Sequence, residues 1–170
     1  MTDLDLWPIG NCQVSALVDR RGNFVWGCVP RVDGDALFSA LLGGEQPDHG
    51  YWAIELEDCV SVEQEYLRNT PVLVSRHTDA QGNAIEVTDF CPRFRRSGRS
   101  YRPVAFARIV RPLHGSPRIK VRLRPSYRWG QPCTSRAGGS NHLRFTLTDM
   151  AMRLSTTAPL GMVAEERSFR

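Results

Sequence analysis

The chain alternates apolar and polar residues in short runs, and Gly, Asn, Asp or Pro cuts off each run before a long helix could form. Period-two alternation puts successive side chains on opposite faces of a strand, so this pattern points to half-buried sheets. Val14 to Val18 is the first such run. Asp19-Arg20-Arg21-Gly22-Asn23 follows as a polar turn, and Phe24 to Val29 is a second apolar run, which together read as a hairpin. Pro30 ends the second strand because it has no amide hydrogen to give to a ladder. Asp33-Gly34-Asp35 is a cap-and-turn cluster, and Ala36 to Leu42 reads as one short amphipathic helix closed by Gly43-Gly44.

Strand signals continue beyond it. Tyr51 to Leu56 alternates, with Trp52, Ile54 and Leu56 on one face, and Val60 to Leu67 is a second alternating run. Val72–Thr78 and Ala84–Phe90 form a hairpin across Asp79-Ala80-Gln81-Gly82-Asn83. Pro92 to Pro103 is polar, basic and turn-rich, and reads as a long exposed loop. Val104 to Val110 and Pro117 to Leu123 are strands; in the second, Ile119, Val121 and Leu123 oppose Arg118, Lys120, Arg122 and Arg124. Arg136 to Asn141 is a Gly-rich turn, Leu143 to Leu147 a strand and Met150 to Thr156 a last strand, while Leu160 to Arg170 shows no pattern. The fold class expected is all-β: an antiparallel β-sandwich with one short helix, occupying residues 1–170 as a single domain. A chain of 170 residues is long enough to bury roughly 70% of its unfolded surface.

Charge is distributed unevenly along this sequence. Residues 1–89 hold fifteen Asp and Glu against five Arg, whereas residues 90–148 hold no acid and fourteen Lys and Arg. The net charge of +4 therefore conceals a negative first half and a positive later part. Three arrangements account for it: strands of the two regions pair and offset each other, the basic part docks on an acidic partner, or its arginines hold phosphates while Phe94, Tyr101, Tyr127 and Trp129 stack bases. No RNA- or DNA-binding motif accompanies the last, so nucleic acid is not the partner expected.

Catalytic and cofactor signatures are sparse. His49, His77, His114 and His142 are scattered, without metal-ligand spacing. There is no Gly-rich phosphate loop and no Gly-x-Ser-x-Gly elbow, so no metal, cofactor or catalytic residue is assigned. Cys12, Cys28, Cys59, Cys91 and Cys133 include no Cys-x-x-Cys pair. The first residues are acidic and no apolar run approaches ~18 residues, so a cytoplasmic protein with reduced thiols and no membrane span is expected. Glycoside hydrolysis needs two carboxyl groups flanking the scissile bond. The carboxylates available include Asp33, Asp35, Glu55, Glu57, Asp58, Glu63, Glu65, Glu86 and Asp89; Glu55 with Glu57, and Glu63 with Glu65, read as solvated strand faces.

Ile9-Gly10-Asn11-Cys12, Ala16-Leu17-Val18-Asp19, Gly22, Trp26, Cys28, Pro30-Arg31, Asp33 and Phe38 to Leu42 resemble the opening of bacterial glycoside hydrolase family 15 proteins. These are glucoamylase-, glucodextranase- and trehalase-like enzymes, and the similarity continues through Val87 to Phe90, Arg102-Pro103, Arg108 to Arg111 and Arg118 to Arg124. The resemblance implies an N-terminal β-sandwich that accompanies a helical-barrel catalytic domain, on the same or a separate chain, with both catalytic glutamates in that barrel. Arg31 and Asp33 match the family's Pro-Arg-x-Asp segment, which can rigidify itself by its own Arg–Asp contact. Alternatively Arg31, Asp33 and Asn11 face the barrel, a glucan or a disaccharide in its mouth. Trp26 and Trp52 can serve either as sugar platforms or as core. An apolar patch around Phe38 and Leu42 is expected to lie bare without the barrel, where weak self-association to a homo-oligomer would cover it. The alternative of another class is a free-standing carbohydrate- or partner-binding module.

Overall fold

A computed structural model describes residues 4–44, 47–133, 136–147 and 149–170. In chain order the strands are β1 (Trp7–Gly10), β2 (Ser15–Val18), β3 (Phe24–Val29), β4 (Asp35–Phe38), β5 (Tyr51–Leu56), β6 (Cys59–Tyr66), β7 (Leu73–Asp79), β8 (Ala84–Phe90), β9 (Phe94–Arg96) and β10 (Arg99–Tyr101). They continue with β11 (Ala107–His114), β12 (Ile119–Arg124), β13 (Ser126–Tyr127), β14 (Gln131–Pro132), β15 (Arg136–Gly138), β16 (His142–Thr146) and β17 (Ala151–Ser155), before the helix α1 (Leu160–Ala164). One sheet runs β1-β2-β3-β5-β12, with β4 added to β3; the other runs β11-β8-β7-β6. All pairings in both sheets are antiparallel. The expected all-β class is therefore the observed one.

Two hairpins turn on the same device. In Asp19–Asn23 the Asp19 carboxylate accepts the backbone amides of Arg21 at 2.9 Å and Asn23 at 2.8 Å, and the Asn23 side-chain amide at 3.2 Å. Asp79 repeats the pattern with Gln81 at 2.9 Å, Asn83 at 2.8 Å and the Asn83 side chain at 2.7 Å. Burial pushes the Asp79 carboxyl up, but the hydrogen bonds from Asn83, Gln81 and Gly82 together outweigh it and hold the group below its ordinary value. Gly22 and Gly82 supply φ values of +76° and +84°, which any side chain would make costly.

The sheets meet face to face. Ile54 and Leu56 from β5 pack on Ile85 and Val87 from β8. A larger cluster joins Ile9, Val14, Val18, Phe24, Phe38 and Leu73 to Leu143 and Phe145 of the three-stranded β15-β16-β17 sheet. Phe24 sits at its centre, with edge-on contacts to Phe38 at 5.7 Å, Trp52 at 5.5 Å and Phe106 at 6.0 Å.

Three local expectations change. Ala36 to Phe38 is not helical: it pairs with β3 through Cys28↔Ala36 and Gly27↔Phe38, and only a single 3-10 turn, Ala40–Leu42, follows. Ala36, Leu37 and Phe38 are all buried, so this apolar run has no polar face, and periodicity could not separate a buried strand from a helix. The short α-helix lies instead at Leu160–Ala164, in the segment that shows no sequence pattern. Pro92 to Pro103 is not a shapeless loop, since β9 and β10 pair as a hairpin through Arg96↔Arg99 and Phe94↔Tyr101. Its two-residue turn, Ser97-Gly98, has φ of 50° and 74°, the handedness a tight hairpin requires.

Candidate functional site

One end of the sandwich gathers the turn after β1, the loop after β3 and the β9–β10 hairpin. Asn11 organises it. Its Oδ1 accepts the amides of Gln13 at 2.9 Å and Val14 at 3.1 Å, and its Nδ2 donates to the carbonyls of Pro92 at 2.8 Å and Pro103 at 2.9 Å. Four bonds fill the capacity of one amide side chain, and Asn11 is only 2% exposed. It faces the base of the hairpin, closing both ends of the Pro92–Pro103 segment against the first turn. Gln13 Nε2 donates to Pro30 O at 3.3 Å, bringing the Pro30–Gly34 loop alongside. Arg93 Nη1 lies 3.9 Å from Cys12 Sγ at the same end.

The remaining residues singled out in the sequence fall differently. Arg31 forms a two-pronged contact with Asp33, both bonds 3.0 Å, and both side chains are about two-thirds exposed at 68% and 66%. Phe38 is 1% exposed and lies inside the core, so it offers no surface; Leu42, on the 3-10 turn, is 63% exposed. Trp52 is partly buried against Phe24, and Trp26 is also partly buried.

Charge pairing across strands accounts for part of the asymmetry in sequence. On the β5–β12 face Glu55 meets Arg122 at 3.3 Å, and beside it Glu57 meets Arg118 at 3.1 Å. Arg76 joins Glu65 at 2.7 Å and Glu86 at 3.3 Å. Arg124 holds Glu166 through bonds of 2.8 and 2.6 Å, and these keep the Glu166 carboxyl below its ordinary value. Asp35 accepts the amides of Arg128 and Trp129. These carboxylates are thus tied to cations or amides along sheet faces and turns, not opposed across a pocket. Among the described residues no group of three His, Cys, Asp or Glu could hold a metal ion, and no helix is long and apolar enough to cross a membrane. Cys28 and Cys91 are buried free thiols. Burial, ahead of the negative charge of Asp89, pushes the Cys91 thiol up to about 12.

Sequence reasoning missed the buried charge at the centre of the molecule. Arg108 of β11 and Asp89 of β8 face each other through bonds of 2.8 and 3.0 Å, and their side chains are 1% and 0% exposed. Burial pushes the Asp89 carboxyl up, opposed by the charge and hydrogen bonds of Arg108. The same guanidinium donates to Trp52 O at 2.7 Å and to Gly22 O, and lies 4.3 Å from the Phe24 ring centre. One side chain therefore ties the second sheet to the Asp19–Asn23 turn and to β5. His77, 2% exposed, sits beside it with Nε2 unpartnered. Burial, and secondarily the charge of Arg108, lowers His77 to about 4. A largely apolar cavity of about 1030 Å³ is lined by Phe106, Ile119, Val121, Met152 and Phe169 among others.

The model of the trehalase-like, N-terminal family matches residues 6–163. A trehalase of Thermoplasma volcanium is 29% identical over 157 residues, covering 89% of this chain and 24% of that protein. A trehalase of Thermoplasma acidophilum is 29% identical over 118 residues, covering 66% of this chain and 19% of its own length. The chain thus spans about a quarter or less of the length of these relatives. No solved structure matches it.

Proposed function

This chain belongs to the trehalase-like N-terminal family, and from that premise we propose that it is the accessory β-domain of a glucoside-hydrolysing enzyme of glycoside hydrolase family 15. In this reading it docks on a helical-barrel catalytic domain, on the same or a separate chain, and supports that domain without performing the bond cleavage. The single observation that carries the reading is the match over residues 6–163 to a family defined as the N-terminal part of trehalase-like proteins. The chemistry of the domain agrees with it. A glycosidase needs one carboxyl held protonated and a second held ionised on opposite sides of a glycosidic oxygen. Glu55, Glu57, Glu65 and Glu86 are instead neutralised by surface arginines, and Asp89 is locked to Arg108 out of reach of a sugar. Trehalose is the substrate to test first, because both relatives are trehalases.

The test is an exchange of domains. This chain is put in place of the matched region of the Thermoplasma volcanium trehalase, and glucose release from trehalose is followed. An active chimera, beside an inactive version lacking the region altogether, is the expected outcome. A chimera that folds but is inactive while the parent is active would refute the accessory role. Retention of the isolated chain on a glucan or trehalose resin would favour a free-standing carbohydrate-binding module instead.

A further inference from the structure

The β9–β10 hairpin is a strongly charged feature that the pairing of sheet faces does not absorb. Between Arg93 and Arg102 it carries Arg93, Arg95, Arg96, Arg99 and Arg102, all exposed and with no acidic residue in the segment. Elsewhere Arg76 of β7, Arg108 of β11, and Arg122 and Arg124 of β12 meet carboxylates; among the described residues none of these five makes an ion pair. Among the described residues the strands β9 and β10 pair only with each other. Phe94 and Tyr101, 50% and 42% exposed, stack on one another with ring centres 5.4 Å apart and planes 14° from parallel. A register with a tight turn, a stacked aromatic pair and the Asn11 bonds to Pro92 O and Pro103 O hold the hairpin in shape. Such pre-organisation lowers the ordering cost of binding.

We propose that the Pro92–Pro103 hairpin is a preformed docking arm whose arginines seat on a carboxylate-rich surface of the catalytic part of a trehalase-like enzyme. This rests on the accessory-domain reading and names the contact through which that domain docks. Guanidinium groups present a planar fork that grips carboxylates in pairs, with geometric specificity a lysine lacks. Phosphate would satisfy the same fork, but Phe94 and Tyr101 turn one face each toward the other, where a base-stacking platform would leave them open. The partner surface is the nearest one available: three quarters of the Thermoplasma volcanium trehalase lies outside the region this chain matches.

Chymotrypsin tests the arm directly, because Phe94 and Tyr101 are its cleavage sites and the arginines are not. Cleavage is compared by mass spectrometry in the isolated 170-residue chain and in the active chimera with the Thermoplasma volcanium catalytic portion. Protease susceptibility follows the population of the accessible state, so docking should slow cutting at these two sites by about tenfold or more. High salt should restore it by screening the ion pairs, and so should the triple charge reversal Arg95→Glu, Arg96→Glu and Arg99→Glu in the chimera. An active chimera whose arm is cut as fast as in the isolated chain overturns the docking arm and leaves the accessory role standing. Equal protection in the triple variant overturns the role of the arginines. An inactive chimera overturns the accessory reading and the arm with it. A labelled single-stranded oligonucleotide of about 20 bases that binds below about 1 µM at physiological salt, and is released by the triple reversal, would reassign the arm to nucleic acid.

Discussion

Replacing Asp89 with Asn removes one charge from the centre of the sandwich while keeping the side-chain shape. Arg108 would then keep its bonds to the Trp52 and Gly22 carbonyls but lose its counter-charge, in a place where both side chains are at most 1% exposed. Breaking a buried pair by removing one partner costs about 3–5 kcal/mol. The two retained carbonyl bonds place Asp89→Asn toward the lower end of that range. Against a total stability of about 5–15 kcal/mol, such a loss lowers the melting temperature by roughly 6–20 °C for a domain of this size. Arg108→Met strands the Asp89 carboxylate and costs about as much. The double variant Asp89→Asn with Arg108→Met carries no buried charge. It orphans the Gly22 and Trp52 carbonyls, at about 1–3 kcal/mol each, so its cost should fall well short of the two single costs added together. Urea unfolding followed by tryptophan fluorescence measures all four proteins, with the slope in urea checked for constancy. If Asp89→Asn loses less than about 1 kcal/mol, or if the two single effects simply add, the guanidinium is not the tie between sheets described above.

Four further outcomes follow from the same geometry. His77 binds a proton near pH 6.5 in the unfolded chain but only near 4 when folded, so stability is complete above 6.5 and is lost as pH falls toward 4, by about 3 kcal/mol from this group. Urea midpoints at neutral and acid pH should show it, and His77→Gln should flatten the difference. Gly22→Ala should cost about 1–3 kcal/mol, because φ is +76° and the new methyl would meet His77 Nε2 at 3.1 Å; a thermal melt indistinguishable from the parent would contradict this. Asn11→Ala, which orphans the Pro92 and Pro103 carbonyls, should cost about 2–4 kcal/mol and speed chymotrypsin cleavage in the isolated chain. The chain by itself should release no glucose from trehalose, maltose or isomaltose over a day at several pH values; turnover abolished by replacing one of its acids would show an active site of its own.

Where one face of a strand meets the core and the other meets solvent, the fold was legible in the sequence. Ile85 to Thr88 alternates in composition and in burial, and the spacing Asp-x-x-Gly-Asn marked both hairpin turns. Legibility failed where burial was two-sided, as at Ala36 to Phe38, whose apolar run fits a buried strand and a helix equally. The arm was obscured for the opposite reason: its flanks are polar on both faces, so only Ser97-Gly98 announced a turn. The site residues depend on distant partners. Asn11 reaches carbonyls 81 and 92 positions away, and Arg108 finds Asp89 across 19. A buried arginine and a solvated one are written with the same letter, so nothing local in the sequence separated Arg108 from Arg111.

Asn11 gives the domain a practical property as a graft site. A single amide gathers the carbonyls at both ends of the Pro92–Pro103 segment, so the sandwich fixes where that segment leaves and returns. A peptide epitope or a binding loop inserted there would inherit a closed stem, while β8 and β11 keep their ladder. The family could likewise exchange the tip for one of another length or charge, and so retarget the domain without redesigning its core.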